Sequence, residues 1–326
     1  MGLAHEGSLG QAQAYIDAAA GAGFDAVKFQ THLAEAESTA AEHFRVKVFP
    51  QDASRFDYWK RTAFSREQWK DLAAYAKDRS VLFLSSPFSL EAVELLLECD
   101  VKAWKVASGE VTNLPLLRRM VETELPLLIS SGMSGWSELD EIVAATAECS
   151  GGVAMFQCTS AYPCPPDQWG LNVIGEIIER YSCPVGLSDH SGTIIPSLAA
   201  VTLGATLVEV HITFSKHQFG PDAKASLNLD QACELVTGIR QLSQALKCPV
   251  DKNLQAEELE PLRRLFMKSV VAARPLEEGH VLSTGDLAFK KPGTGIPAWE
   301  IDQLIGRRIR KTVSMDHFFS ESDFEQ

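Results

Sequence analysis

Three observations place the chain in the α/β class, as a (β/α)8 barrel followed by a small β-rich domain. Short apolar runs alternate with amphipathic stretches of about a dozen residues between positions 24 and 215, the pattern of a parallel sheet with crossover helices. Nearly every run ends in polar side chains. Beyond about residue 245 the alternation stops and turn-forming residues become dense.

Taken in order, the first run is Asp25–Gln30 (DAVKFQ), which ends in Lys28-Phe29-Gln30 and follows a helix expected at Gln11–Gly23. The second, Val81–Pro87 (VLFLSSP), carries Ser85-Ser86 and follows a helix at Arg66–Asp78. The third, Ala103–Gly109 (AWKVASG), ends at Ser108 after a helix at Leu90–Glu98. The fourth is Leu125–Gly132 (LPLLISSG), with Ser130-Ser131 at its end. A helix at Trp136–Glu148 leads to the fifth, Val153–Ser160 (VAMFQCTS), which closes on Thr159-Ser160. The sixth, Pro184–His190 (PVGLSDH), ends in Ser188-Asp189-His190. A helix at Pro196–Leu203 then precedes the seventh, Thr206–Thr213 (TLVEVHIT), which carries Glu209 and His211.

Seven strands are visible where a barrel needs eight. Few residues precede His5-Glu6-Gly7, so the first strand is expected to be truncated, with most of it ahead of Met1. The alternative is an open sheet of seven strands. In a barrel the strand C-termini meet at one mouth, so the polar strand ends would converge there. A barrel that served only as a scaffold would not need them.

A charged connector, Asp251–Arg264, leads to the compact segment Ser269–Val313, anchored by Val270-Val271-Ala272-Ala273, Leu282 and Leu287. Turns are expected at Glu278-Gly279, Gly285-Asp286 and Lys291-Pro292-Gly293-Thr294-Gly295. The expected division is 1–248 for the barrel, 249–267 for a linker and 268–326 for the small domain. So small a domain is near the lower limit of independent stability, and is expected to lean on the barrel or on another subunit. The acidic, aromatic tail from Ser314 receives no role.

Composition narrows the function. A net charge of −13 argues against nucleic acid or an anionic membrane as partner, so any phosphate site must be built from a few local cations. No apolar run approaches the roughly 20 residues of a membrane span, and the first residues lack the pattern of a signal peptide. Seven Cys without CxxC pairs read as reduced, mostly buried thiols of a cytoplasmic protein.

Two pairs of residues carry chemistry. His190 and His211 close successive strands, with Asp189 and Glu209 beside them. Two neutral imidazoles with open positions suit a divalent metal that also binds water and substrate, and the lack of a third strong ligand favours Mn2+ or Mg2+ over Zn2+. A purely structural role for one histidine is the competing reading. Lys28 and Lys105 lie inside apolar strands, where an unpaired ammonium is costly. With Ser86, Ser108, Ser130 and Ser188 nearby they suggest a site for a small dianion. Pairing of each lysine with a barrel carboxylate, or a Schiff-base lysine, are the alternatives.

These residues also sit in recognisable motifs. Ala26-Val27-Lys28-Phe29-Gln30-Thr31, Ser85-Ser86-Pro87-Phe88, Lys105-Val106-Ala107-Ser108-Gly109-Glu110 and Ser130-Ser131-Gly132-Met133 resemble the N-acetylneuraminate (sialic acid) synthase family. So do Cys158-Thr159-Ser160-Ala161-Tyr162-Pro163, Gly186-Leu187-Ser188-Asp189-His190, Glu209-Val210-His211, Gly220-Pro221-Asp222 and Ala225-Ser226-Leu227. Lys291-Pro292-Gly293-Thr294-Gly295-Ile296 is similar to the family's antifreeze-protein-like (SAF) domain.

The resemblance implies a transferase that joins phosphoenolpyruvate to an N-acyl hexose. It puts phosphoenolpyruvate on Lys28, Ser86, Lys105, Ser108, Ser130 and Ser188, and the metal on His190 and His211. The sugar falls on Ser160, Tyr162, Glu209, Asp222 and Lys291. It also implies a domain-swapped, head-to-tail homodimer. Three departures stand out. The first-strand glutamate of the family is absent, Ser160 replaces an asparagine, and Lys291 replaces an arginine, which removes a bidentate fork. Rival readings are another barrel aldolase or 3-deoxy-acid synthase, and a non-catalytic sugar-phosphate-binding barrel.

Overall fold

Each of the seven apolar runs forms a parallel strand. The structure, a computed structural model, describes residues 1–44 and 51–325, so Gln326 of the expected small domain lies outside the described residues. The chain divides into two compact units, Met1–Lys247 and Cys248–Gln326.

The first unit begins with α1 (Leu9–Ala22), β1 (Ala26–Thr31), α2 (Ala34–Glu37), α3 (Arg55–Thr62), α4 (Arg66–Asp78), β2 (Leu82–Pro87) and α5 (Leu90–Leu97). Next come β3 (Trp104–Val106), α6 (Leu114–Val121), β4 (Leu127–Ser130), α7 (Trp136–Ala145), β5 (Val153–Cys158) and α8 (Leu171–Tyr181). It closes with β6 (Val185–Asp189), α9 (Ile195–Thr202), β7 (Leu207–Val210) and α10 (Leu229–Lys247).

β3 to β7 form one parallel sheet in chain order, and β1 pairs with β2 in register from Ala26–Leu82 to Thr31–Pro87. β3 packs beside β2 without a ladder. On the other side of β1, the one pairing among the described residues is a parallel bridge between Gly2 and Phe29. The barrel architecture is therefore present with seven strands.

Local chemistry sets the element ends. Ser8 caps α1 by accepting from the Gln11 N–H at 3.3 Å, and Gly23 ends it in the left-handed region at φ 82°. The helix starts two residues earlier than hydrophobic periodicity places it. β3 is short because Ser108–Glu110 turns at once into a 3-10 helix. Gly132, at φ 38°, lets the loop after β4 close on that turn, since a Cβ there would collide with the Ser108 side chain. Helices α2, α3, α6, α8 and α10 are additions to those expected. α6 buries Leu116, Leu117 and Met120, and α8 buries Ile174 and Ile177. Trp104, Tyr15, Phe29, Leu72 and Leu96 are fully buried at the centre of the core, each worth about 2 kcal/mol in transfer terms.

The second unit opens with α11 (Lys252–Glu258) and α12 (Glu260–Phe266). The expected linker is thus helical, and neither helix has a buried residue. β8 (Ser269–Ala272) then pairs antiparallel with β9 (Leu287–Lys290) over a core of Val270, Leu276, Leu282, Leu304, Ile309 and Val313. Phe319 and Phe324, from the tail left without a role, complete that core.

Two corners of this unit repeat one pattern, His-x-x-Ser-x-x-Asp followed by an apolar residue, at His280–Leu287 and His317–Phe324. Asp286 accepts from Ser283 N (2.9 Å), Ser283 Oγ (2.7 Å), His280 Nε2 (2.9 Å) and Arg274 (2.6 Å). Asp323 accepts from Ser320 N (2.8 Å), Ser320 Oγ (3.0 Å) and His317 Nε2 (3.0 Å), with the Lys311 ammonium paired at 2.7 Å. Burial by itself would raise both carboxyls. The hydrogen bonds outweigh it and hold both well below the usual carboxylate range.

Candidate active site

Side chains two apart on a strand share a face, and three such pairs point to the same mouth: Lys28 with Gln30 on β1, Ser188 with His190 from β6, and Glu209 with His211 from β7. Register then sets neighbours. Ser188 lies opposite Glu209, and Gln30 lies opposite Ser86.

Glu209 is the hub. Its Oε1 stands 3.5 Å from Lys28 Nζ and accepts from Ser188 Oγ at 3.1 Å, and its Oε2 stands 3.8 Å from Lys105 Nζ. Lys105 is buried, donates to Ser130 Oγ, and lies 4.8 Å above the Phe156 ring. Burial pushes the Lys105 ammonium down, and Glu209 opposes that. For Glu209 burial pushes up, but the charges of Lys105 and Lys28 prevail and keep it ionised. Two cations thus share one carboxylate.

The two imidazoles stand beside this hub with ring centroids 5.4 Å apart. His190 Nδ1 lies 2.9 Å from the Thr159 carbonyl, which takes its N–H and leaves the Nε2 lone pair free to accept a proton or ligate a metal. His211 Nδ1 is buried without a hydrogen-bond partner, 4.0 Å from Asp222 Oδ2. Burial lowers both imidazoles below their ordinary range, so both are neutral at neutral pH. Among the described residues no group of three or more His, Cys, Asp or Glu is arranged to hold a metal ion. A pair of neutral nitrogen donors, one of them orphaned, still fits a divalent ion that takes its remaining ligands from water and substrate.

The other expected residues fall as follows. Ser86 Oγ is buried without a partner at the end of β2. Ser108 Oγ lies 3.7 Å from Cys158 Sγ. The Tyr162 ring packs on His190 with centroids 4.1 Å apart, and Ser160, two residues earlier, is exposed. Lys291 belongs to the second unit, where its ammonium is exposed 5.1 Å from the Phe266 ring.

Two neighbours of the site were not singled out from sequence. Gln30 approaches His211 and Asp222 around Gly2, whose hypothetical Cβ would lie 3.1, 3.3 and 3.5 Å from the three side chains. Its position at the end of β1, two residues past Lys28, was the available signal. Cys158 Sγ, 3.9 Å from His190 Nδ1, had only its strand-end position to mark it. A cavity of about 570 Å3 has Lys28, Glu209, His211, Leu84 and Phe156 in its wall and extends between β1 and β7 toward Leu235, a volume suited to a small ligand.

A parallel α/β barrel with two lysines, hydroxyls and paired imidazoles at its mouth is a barrel of the kind whose active site lies at the strand ends. The chain belongs to the NeuB family, whose model matches residues 15–251, with a SAF domain over residues 268–325. It is 34% identical to the N,N'-diacetyllegionaminic acid synthase of Campylobacter jejuni, over 98% of this chain and 97% of that one. It is 32% identical to the human N-acetylneuraminate-9-phosphate synthase, over 98% of this chain and 90% of that one. Among solved structures it resembles the sialic acid synthetase of Leptospira borgpetersenii, at 27% identity and a TM-score of 0.71 over 80% of this chain and 88% of that one.

Proposed function

We propose that this chain is a transferase that condenses phosphoenolpyruvate with the open-chain form of an N-acylated, mannosamine-type hexose, giving a nine-carbon 2-keto sugar acid and phosphate. The observation that carries this reading is the convergence of Lys28 and Lys105 on Glu209, beside His190 and His211. The lysines hold the phosphate and carboxylate of phosphoenolpyruvate, and Ser86, Ser108, Ser130 and Ser188 supply directed donors. Their contribution is positioning and electrostatics. Tyr162, Ser160, Glu209 and Asp222 line the approach of the sugar, which brings its aldehyde carbon to C3 of phosphoenolpyruvate. Water then adds at C2, and phosphate leaves by C–O cleavage.

His190 and His211 would hold a divalent metal, Mn2+ or Mg2+, which supplies Lewis-acid polarisation of the aldehyde oxygen when bound. In this reading the enzyme is cytoplasmic, consistent with seven free thiols. No described helix is long and apolar enough to cross a membrane. The enzyme also acts as a homodimer in which the SAF domain caps the partner's barrel and Lys291 meets the acyl group. Exposed Leu254, Leu262, Leu265 and Phe266 on α11 and α12 support a partner surface.

The test is phosphate release with N-acetylmannosamine, its 6-phosphate and a 6-deoxy-diacetamido hexose, with and without Mn2+. Release that needs one sugar and the metal, together with a dimer by light scattering, is the expected result. Chelator-insensitive release would remove the metal. A Schiff-base lysine is the second reading, favoured by the burial of Lys105, and borohydride trapping with pyruvate would support it.

A further inference from the structure

At the mouth two ammonium groups close on one carboxylate, which stands between them. Glu209 Oε1 is 3.5 Å from Lys28 and Oε2 is 3.8 Å from Lys105. Lys105 is fully buried, so its charge has no water to relax into. Around this trio, donors remain to be satisfied. Ser86 Oγ is buried without a partner, while Ser130 and Ser188 already bond to Lys105 and Glu209.

From this geometry we infer that Glu209 is an internal counter-ion that sets the charge selectivity of the anion site. Resting on the reading above, this goes beyond it by naming what the site refuses. With Glu209 ionised, Lys28, Lys105 and Glu209 together carry a net charge of +1. A monoanion such as acetate gains little over the carboxylate already seated between the lysines. A dianion such as phosphate brings a second charge and further acceptors for the free hydroxyl hydrogens of Ser86 and Ser130, so it competes where the monoanion does not. The carboxylate also shields one buried and one half-buried cation while the site is empty, which lets Lys105 and Lys28 share one mouth. Glu209 is therefore a specificity-determining residue for small anions generally, with the monoanions of a cell among those kept out.

The experiment is calorimetric titration of the full-length, chelator-treated protein with inorganic phosphate and with acetate at fixed ionic strength. Wild type is expected to bind phosphate and to show no saturable acetate binding. Lys105→Met is expected to lose phosphate. In Glu209→Gln, phosphate binds about tenfold tighter or more, acetate binding becomes measurable, and the preference for the dianion narrows. Glu209→Asp keeps the charge but retracts it by one methylene. It is expected to fall between, and it carries the test if the glutamine variant does not fold.

Equal or weaker phosphate binding in Glu209→Gln, or an undiminished preference for phosphate, overturns the counter-ion role. If wild type binds phosphate through Lys105 and only that variant disappoints, the assignment of the anion site survives and the selectivity role falls. If wild type binds no phosphate, both fall.

Discussion

A half-buried carboxylate in the first unit and two buried ones in the second work under opposite conditions. Asp286 and Asp323 each collect a serine side chain, a backbone N–H, a histidine and a cation from their own corner of the fold. Glu209 instead divides itself between two lysines, ion-paired at 3.5 and 3.8 Å without a hydrogen bond to either, and accepts from one serine. Near it, Ser86 Oγ and His211 Nδ1 are buried with no partner. A saturated carboxylate holds a chain together. An undersaturated cluster of charges and orphaned donors is poised for something that arrives from outside.

The comparison is most exposed at the imidazoles. His190→Ala and His211→Ala should each reduce metal-dependent phosphate release about a thousandfold or more, with an unchanged far-UV circular dichroism spectrum. Near-normal turnover in either variant would break the metal assignment. Next in size, Lys105→Met should cost about a hundredfold in kcat/KM for phosphoenolpyruvate while leaving thermal stability about equal, because a costly buried ammonium is removed and Glu209 keeps Lys28 and Ser188 as partners. A large drop in Tm would instead make Lys105 a structural ion pair like those of the second unit.

In the second unit the signs reverse. Asp286→Asn should destabilise by about 2 kcal/mol, chiefly because the Ser283 N–H and Oγ and the His280 N–H lose a charged acceptor, while the exposed Arg274 adds little, and denaturant unfolding would show it. The folded-state values of Asp286 and Asp323 lie below the unfolded carboxylate value of about 4. Their stabilisation is therefore full above about pH 4 and is lost as pH falls through the folded-state values. Asp286→Asn should flatten that acid slope. The smallest expected effect is at Lys311→Met, where the side chain is 54% exposed, so solvent screening limits the loss to about 0.5–1 kcal/mol.

Much of the first unit was legible in the chain. The seven apolar runs became seven parallel strands because a strand buried on both faces must be apolar along its length. Lys28, Lys105, Ser188, His190, Glu209 and His211 stood out as polar groups at strand ends, and those positions converge. α3 and α6 were not among the helices expected, although α5 and α9, of the same eight-residue length, were. The tail from Ser314 was not visible either. Its aromatic and acidic residues gain meaning only when Phe319 and Phe324 fill a core and Asp323 meets Lys311 and His317.

The sequence by itself determined the class of fold, the order of the strands and which side chains end at the mouth, because these follow from periodicity and from the alternation of faces along each strand. The tertiary structure decided which charges share a partner. Lys28, Lys105 and Glu209 sit on β1, β3 and β7, and ladder register together with the curl of the sheet brings them within 4 Å. Likewise Arg274 reaches Asp286 and Lys311 reaches Asp323 only across the folded corners. Side-chain type is written along the chain, but Coulomb energy depends on distance through space, and closure of the fold sets that distance.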